Sequence, residues 1–208
     1  MDNEQFCRLW VVFNGKVSQD KDLLNDLDSA IGDADHGTNM SRGLSKIIDD
    51  CESSNGESLR SNAKKIAMIL LSTVGGASGA LWGAGLLKAS SVLPDSPSCS
   101  SVEFAHFIRA FVTSVQDRGK AMLGDKTMLD VFIPALEMFE SGLEANLEYT
   151  LLVRDVAIKA KELSLNTRDL LAKRGRAAYL GERSIGHVDP GSWSSALWWE
   201  SLSEAKMS

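Results

Sequence analysis

Apolar residues recur at intervals of three and four along almost the whole sequence. The spacing is clear in residues 6–17, 40–51, 59–71, 104–115 and 153–163. Such spacing lines apolar side chains along one face of an α-helix. Alternating runs of β-branched residues between turn signals, which would indicate strands, are missing from the sequence. The pattern therefore predicts an all-α bundle of about eight antiparallel helices.

Length and composition favour one packed unit. The 208 residues are 44% hydrophobic, which is enough for a single sizeable core. The sequence has no internal repeat and no polar stretch long enough to link two domains. We therefore expect a single domain over residues 1–208. The net charge of -6 disfavours a broad surface for nucleic acid or anionic lipid, although backbone amides and bound cations can still bind phosphate in an acidic protein.

Cellular location is predicted from three features. Cys7, Cys51 and Cys99 form no CxxC pair and are interpreted as reduced thiols of a cytoplasmic protein. The amino terminus lacks the basic start of a secretory signal. Residues 67–87 carry no charge and are about as long as a membrane-crossing helix. Their glycines and hydroxyl side chains make the stretch only weakly hydrophobic, so we expect no membrane crossing.

Three aspartates, Asp28, Asp33 and Asp35, fall within eight residues, just before the helix that begins near Met40. Carboxylates brought together by folding repel one another unless a cation lies between them. Oxygen ligands suit Mg²⁺, which fills its other positions with water and phosphate oxygens. A solvated acidic loop is the alternative interpretation. The positions of glycine and glutamate do not fit a calcium-binding EF-hand.

Two short segments could bind an anion through backbone amides. Residues 36–39 lie where the first turn of a helix is expected, although Thr38 could equally act as a plain helix cap. Farther along, Gly75 and Gly76 lie in residues 72–79, which match neither common phosphate-binding motif. A Gly-Gly pair before a helix of small residues allows close approach of a phosphate, and tight helix packing explains it equally well.

Two later segments also depart from the helical pattern. Residues 174–191 combine glycines, clustered charges and an Asp-Pro-Gly turn, which indicates a structured loop. Within it, Arg176 and Arg183 could clamp phosphate or form surface ion pairs. Residues 119–130 pair charges with a helix start, and a structural turn explains them.

Four blocks of the sequence, taken together, resemble the nucleotide-binding L subunit of the dihydroxyacetone kinase family. The blocks are LDSAIGDADHGTNM, VGGASGALWG, GDKTMLD and GRAAYLGERSIGHVDPG, and they span residues 27–191. The first block is similar to the dihydroxyacetone branch and differs from the related fatty-acid kinase domains, whose aspartates have a PDGDTGTN-like context. One departure is Gly79-Ala80-Leu81, where family members often have Gly-Pro, and this bears on the conformation of that loop.

The resemblance implies an eight-helix barrel with ADP or ATP bound at one end. Asp28, Asp33 and Asp35 would hold two Mg²⁺ ions that bridge the phosphates, and these aspartates and Arg176 would serve phosphoryl transfer. The residues that the resemblance places around the nucleotide are His36, Gly37, Thr38, Asn39, Ala77, Ser78, Gly119, Met128, Arg176, Asp189, Pro190 and Gly191.

The resemblance also implies partners. In this family a separate K subunit holds dihydroxyacetone, and the L subunit supplies the γ-phosphoryl group. This chain is therefore expected to be one part of a multi-subunit kinase, as a monomer or homodimer, with no nucleic acid or membrane partner. A phosphohistidine-carrying M subunit of the phosphoenolpyruvate phosphotransferase system would recharge the bound nucleotide.

Two alternative functions follow from other observations. Because substrate specificity would lie on the K subunit, the chain could serve a kinase for another short ketose. Trp198 and Trp199 are adjacent and are not both expected to face the core of one helix, so one of them is expected to contact a partner or cover a site. That pair suggests a nucleotide-dependent module that binds a transcriptional regulator.

Overall fold

The structure is a computed structural model that describes residues 1–53 and 57–205. Over these residues it has no strand, and the all-α prediction is confirmed. Residues 54–56 and 206–208, which the single-domain prediction includes, lie outside the described residues. The helices are α1 (Asn3–Gln19), α2 (Lys21–Ile31), α3 (His36–Ser53), α4 (Leu59–Thr73), α5 (Gly76–Ser90), α6 (Ser101–Gly119), α7 (Leu129–Glu144), α8 (Tyr149–Asn166) and α9 (Pro190–Ala205), with 3₁₀ segments η1 (Thr167–Asp169) and η2 (Arg176–Ser184).

Eight of the helices form a closed ring. Each helix from α3 to α8 packs against the next, α9 packs against α8 and α1, and α1 packs against α3. This arrangement is the predicted eight-helix barrel. The short helix α2 is additional and packs against α3, α9 and η2. It is separate from α1 because Asp20 ends one helix and precedes the other, with no loop between them.

Aromatic side chains fill the interior of the ring. The ring centroids of Trp82, Phe111 and Phe132 lie 5.1 to 5.6 Å from one another in tilted and edge-on arrangements. Such pairs add about 0.5–1.5 kcal/mol each to the free energy gained by burial. One continuous cluster of buried apolar residues draws on all nine helices. The core therefore fixes where each helix ends, and these ends form the site described below.

The prediction that one of Trp198 and Trp199 contacts a partner or covers a site is wrong. Trp198 is 3% exposed and Trp199 is fully buried. Their rings contact Phe132 and Phe139 inside the core. The cause is that α9 lies among α1, α2, α7 and α8, so side chains on several sides of this helix reach the interior.

Within the described part of the chain, no helix combines the length and the apolar character that a bilayer crossing requires. Residues 67–87 form the end of α4 and most of α5, separated by a turn at Val74 and Gly75.

Candidate functional site

A cavity of about 450 Å³ opens at one end of the ring. Four helices, α3, α5, α7 and α9, begin at this cavity, and α2 and α6 end there. A helix start presents backbone amides without helical partners and the positive end of the helix dipole, so it favours anions. All four segments that the sequence singled out meet here, although they are far apart in the chain.

The cavity has a polar end and an apolar side. The three aspartates and the helix starts form the polar end. The apolar lining on the side nearer to α6 and α7 comes from Leu81, Trp82, Val115, Ala121, Met128 and Leu129. A cavity with this division suits a ligand that has a charged part and a flat, weakly polar part.

Asp28, Asp33 and Asp35 each offer one carboxylate oxygen, and the three oxygens lie within 4.8 Å of one another. Asp28 lies in the last turn of α2, and the other two lie in the loop that leads into α3. This is the juxtaposition that the sequence predicts. Carboxylate oxygens at this spacing fit the ligands that Mg²⁺ prefers, and the helix starts beside them fit the phosphates that Mg²⁺ commonly bridges.

Asp28 also organises the loop around the cluster. It is 9% exposed, and its Oδ2 accepts hydrogen bonds from the backbone amides of Asp35 (2.9 Å) and His36 (3.2 Å). The carboxylate thereby caps the start of α3. A Cβ atom at Gly32 would lie 2.1 Å from Asp28 Oδ1, so this loop can only pass the carboxylate with glycine at position 32.

Arg176 lies beside the aspartates. Its Nη1 atom is 2.5 Å from Asp33 Oδ2, and the two side chains are 66% and 38% exposed. An ion pair this exposed contributes at most about 1 kcal/mol to folding, so its main effect is to place the guanidinium at the cavity. The other predicted clamp, Arg183, does not line the cavity. Arg174 and Arg118 do line it, although no motif in the sequence marks either one as a clamp.

His36 connects three walls of the cavity through hydrogen bonds. Its Nδ1 lies 3.1 Å from Ser78 Oγ, and its Nε2 lies 3.0 Å from Ser194 Oγ. The Ser194 hydroxyl donates to the carbonyl of Gly191 at 3.0 Å, so it must accept from His36 Nε2–H. The unprotonated Nδ1 then accepts the hydroxyl proton of Ser78. The chain of bonds links the start of α3 to the starts of α5 and α9.

The imidazole of His36 is neutral in this network. Burial lowers the pKa of His36 to about 4, against the opposing influence of the Asp28 and Asp35 carboxylates. Both ring nitrogens are occupied by serine hydroxyl groups. His36 is therefore a positioning group and has no free nitrogen to act as a general base.

Asn39 is oriented by a residue that the sequence did not reveal. Arg42 Nη2 donates to Asn39 Oδ1 at 2.7 Å, and Arg42 Nε donates to the carbonyl of Thr73 at 3.0 Å. Because the amide oxygen of Asn39 is occupied, its NH₂ group is left for the cavity and for the turn at Gly76. Arg42 thus ties α3 to the end of α4 next to the glycine-rich turn.

The glycine-rich turn confirms the packing interpretation, and close approach of a phosphate stays a prediction. Gly76 has φ +64°, a left-handed conformation that favours glycine. A Cβ atom at Gly79 would lie 2.0 Å from the carbonyl oxygen of Val74, which shows that the turn is also tightly packed. Ala77 and Ser78 follow in the first turn of α5 and line the cavity.

Among the residues expected around a nucleotide, Gly37 and Thr38 lie outside the cavity wall. Thr38 is exposed, and its backbone amide and hydroxyl exchange hydrogen bonds with Asn25 at 3.0 Å. A Cβ atom at Gly37 would lie 2.1 Å from the carbonyl oxygen of Lys21. Both residues join α3 to α2, and their contact with a nucleotide stays a prediction. The expected residues that do line the cavity are His36, Asn39, Ala77, Ser78, Gly119, Met128, Arg176, Asp189, Pro190 and Gly191.

Asp189 begins the last wall of the cavity. Its Oδ2 accepts the backbone amide of Ser192 at 2.6 Å and caps α9. Burial raises the pKa of Asp189 to about 6, the hydrogen bonds from Ser192 oppose that rise, and the nearby Asp130 adds to it. The carboxyl group therefore titrates in a mildly acidic range.

Comparison with known proteins identifies a family and several relatives. The family model described as the DAK2 domain matches residues 30–204. The ADP-binding subunit DhaL of a PTS-dependent dihydroxyacetone kinase from Lactococcus lactis is 41% identical over 194 residues, which are 92% of each chain. The ADP-binding subunit DhaL of a PEP-dependent dihydroxyacetone kinase from Escherichia coli is 39% identical over 186 residues, 89% of each chain.

A solved structure shares the fold. The dihydroxyacetone kinase of C. freundii in complex with AMP-PNP and Mg²⁺ aligns with a TM-score of 0.71 at 21% identity. The alignment covers 96% of this chain and 33% of that longer chain. At this identity the likeness establishes the arrangement of helices and no more.

Proposed function

Since this chain belongs to the DAK2 domain family, we propose that it is the ADP- or ATP-binding, phosphoryl-donating subunit of a dihydroxyacetone kinase. The observation that carries the proposal is the meeting of three carboxylates and four helix starts in one cavity. Relatives that match over about nine tenths of both chains and are named as ADP-binding kinase subunits support it. The proposal includes a single domain and a cytoplasmic location.

The residues have separate roles in this proposal. Asp28, Asp33 and Asp35 would hold two Mg²⁺ ions, which would neutralise negative charge on the phosphates. The backbone amides at the starts of α5 and α9 bind the phosphates. Arg176 donates to the oxygens on which charge develops during transfer. The apolar side of the cavity, near Met128, accommodates the base.

We propose that His36 does not act as a general base. Both nitrogens of His36 are engaged by serine hydroxyl groups, and its low pKa keeps the ring neutral. The acceptor hydroxyl and any base that deprotonates it therefore belong to the partner that holds the ketone. We propose that this partner is a K subunit and that a phosphohistidine-carrying M subunit recharges the bound nucleotide. The K subunit would determine which short ketose is phosphorylated.

The regulator-binding alternative loses its motivation, because Trp198 and Trp199 are both buried. A nucleotide-dependent interaction with a transcriptional regulator would need another surface. Nothing in the described residues favours one.

Calorimetry with ADP and Mg²⁺ tests the proposal. Asp33→Asn should weaken Mg²⁺-dependent ADP binding by at least about tenfold, since even residues that only support a metal ligand change affinity by 10- to 100-fold. Asp26→Asn, which neutralises an exposed carboxylate of α2, is the matched control and should bind like the unchanged chain. Equal ADP affinity in the two variants would contradict the assignment of Asp33.

A mixing experiment tests the activity. The chain alone should not phosphorylate dihydroxyacetone, and addition of a K subunit together with ATP or a recharging system should start the reaction. If no K subunit supports transfer although the chain binds ADP and Mg²⁺, the kinase role is wrong and a binding role remains.

A further inference from the structure

The side chain of Lys126 is enclosed at the edge of the cavity. The residue is 1% exposed and has φ +61°, a left-handed conformation that is uncommon outside glycine. It follows Asp125 in the turn before α7. A strained backbone conformation combined with a buried charge indicates that the surrounding structure requires this side chain.

The ammonium group of Lys126 lies among backbone carbonyl oxygens. Its Nζ donates to five of them, at distances from 2.5 to 3.5 Å, in Thr167, Arg168, Leu170, Ser184 and His187. An ammonium has three N–H donors, so they are shared among the five oxygens, and the full positive charge attracts every carbonyl dipole around it. No carboxylate lies within salt-bridge distance of Nζ among the described residues.

All five carbonyls belong to residues 167–189, which we name the strap. The strap runs from the end of α8 through η1 and η2 to the start of α9. It brings Arg174, Arg176 and Asp189 to the cavity. The carbonyls come from both ends of the strap, so one side chain holds the two ends together.

Apolar packing contributes little to the position of the strap. Its buried apolar side chains, Ala172 and Ala177, form a small cluster with Ile31 of α2, apart from the main core. Further polar contacts run to the turn that holds Lys126, including Lys173 N to the Asp125 carbonyl at 3.1 Å and Arg174 Nε to Asp125 Oδ2 at 3.2 Å. A segment with few buried apolar contacts opens easily unless polar contacts hold it.

We propose that Lys126 is a positioning residue that holds the strap in its nucleotide-binding conformation through a cage of five backbone carbonyls, an inference that rests on the proposed function. Lysine suits the cage because its ammonium is compact, and the planar guanidinium of arginine is too wide to point at five oxygens at once. Burial lowers the pKa of Lys126, with Asp189 and Asp169 opposing the shift, and the dense set of carbonyl oxygens keeps the cation bound.

Substitution provides the first test. Lys126→Met keeps most of the length of the unbranched side chain and removes its charge. It should weaken Mg²⁺-dependent ADP binding by at least about tenfold, because the strap must then be ordered when the nucleotide binds. Lys64→Met, at an exposed position of α4, is the control and should leave affinity unchanged. If the unchanged chain does not bind ADP, the proposed function fails. If it binds and Lys126→Met binds equally well, only the present inference fails.

Limited trypsin digestion of the same variants gives a readout independent of nucleotide. The strap contains Arg168, Lys173, Arg174, Arg176 and Arg183 as cleavage sites. Lys126→Met should be cut within residues 173–183 about tenfold faster than Lys64→Met, as mapped by mass spectrometry, because local opening exposes these sites. Equal rates at these sites would contradict the role of Lys126.

Amine labelling of the unchanged chain provides a test that does not depend on a variant folding. With an acetylating reagent and mass spectrometry, Lys126 should react far more slowly than Lys64. ADP with Mg²⁺ should slow the labelling of Lys126 further. Linked equilibria are reciprocal, so if the ordered strap increases the affinity for nucleotide, bound nucleotide must stabilise the ordered strap. Labelling of Lys126 as fast as Lys64, or at a rate that ADP and Mg²⁺ do not change, would overturn the proposal.

Discussion

The Nε2 atom of His36 lies 3.0 Å from the hydroxyl oxygen of Ser194, a residue 158 positions farther along the chain. This contact joins the start of α3 to α9, and the same imidazole holds Ser78 at the start of α5. The relative placement of three helix starts, and therefore of the amides that face the cavity, depends on one neutral ring.

Ser194→Ala should reveal this dependence. The substitution leaves the buried Nε2–H of His36 without an acceptor, which costs about 1–3 kcal/mol in the free energy of unfolding. ADP binding should weaken as well, because His36 no longer fixes the position of Ser78 relative to Gly191. Urea denaturation and calorimetry would measure the two effects.

Ser195→Ala is a closely matched control. Ser195 is also buried and also donates to the Gly191 carbonyl, at 2.7 Å, but it does not contact His36. Loss of a hydroxyl that bonds back to its own helix changes stability only slightly. If the two alanine variants behave alike, the bond between His36 and Ser194 has no special role.

Arg176→Lys should separate folding stability from phosphoryl transfer. The pair that Arg176 forms with Asp33 is exposed, so unfolding should change by less than about 1 kcal/mol. Lysine keeps the charge but lacks the planar fork of donors, and transfer to dihydroxyacetone in the presence of a K subunit should fall about 100-fold. Arg183→Lys, outside the cavity, should leave kcat unchanged. An equal loss in both variants would point to a general effect of charge on the strap.

The stability of the chain should depend on the ionisation of Asp189. Its pKa is about 6 in the folded chain and 3.8 as the reference value. The folded state therefore favours the protonated form, and the resulting stability is present below pH 3.8 and is lost as the pH rises through 6. Asp189→Asn keeps a good helix cap but does not titrate.

The free energy of unfolding of Asp189→Asn, measured relative to the unchanged chain, should rise between about pH 4 and 6 and then stay level. The slope should be at most about 1.4 kcal/mol per pH unit. Urea denaturation across pH 4 to 7, without nucleotide, gives both curves. Curves that run parallel across this range would show that Asp189 does not titrate there.

Glycine at position 79 should be required for packing. In Gly79→Ala the new methyl group meets the carbonyl oxygen of Val74 at 2.0 Å, so the turn before α5 must shift, at a cost of about 1–3 kcal/mol. ADP affinity should fall with it, because Ser78 lies in the displaced turn. Both quantities can be measured as for Ser194→Ala.

Gly15→Ala provides the opposite case. Gly15 lies inside α1 with no atom within 4 Å of the added methyl group, so alanine should stabilise the chain by about 0.5–1 kcal/mol. Stabilisation by both substitutions would mean that the turn at Gly79 has room that the structure does not show.

The helices and the site segments were predictable from the sequence because both are local signals. The three-and-four spacing of apolar residues depends on neighbours within one helix, and it predicted the helices, whereas the closed ring was implied by the family resemblance. The segment from Asp28 to Asn39 was conspicuous because a helical bundle does not need clustered Asp, Gly and His. The structure confirms that its three aspartates meet.

The residues that the sequence did not reveal act over long separations. No sequence motif marks the roles of Ser194, Arg42 and Lys126. The partners cited for them lie far along the chain or are backbone carbonyls, which any residue provides. The prediction for Trp198 and Trp199 was wrong for a related reason. The number of buried faces on a helix depends on how many other elements pack around it, and the sequence of α9 alone does not show how many elements surround this helix.

The closing of the ring by α9 determines when nucleotide can affect folding. Residues 189–194 are synthesised after every other part of the cavity wall, and the Ser194 hydroxyl reaches His36 only when α9 packs into the ring. A ligand stabilises only the states that bind it. ADP and Mg²⁺ should therefore not stabilise a partly folded ring in which α9 is not yet packed. They should slow the release of α9 from the folded ring, so nucleotide stabilises the fold only after the ring has closed.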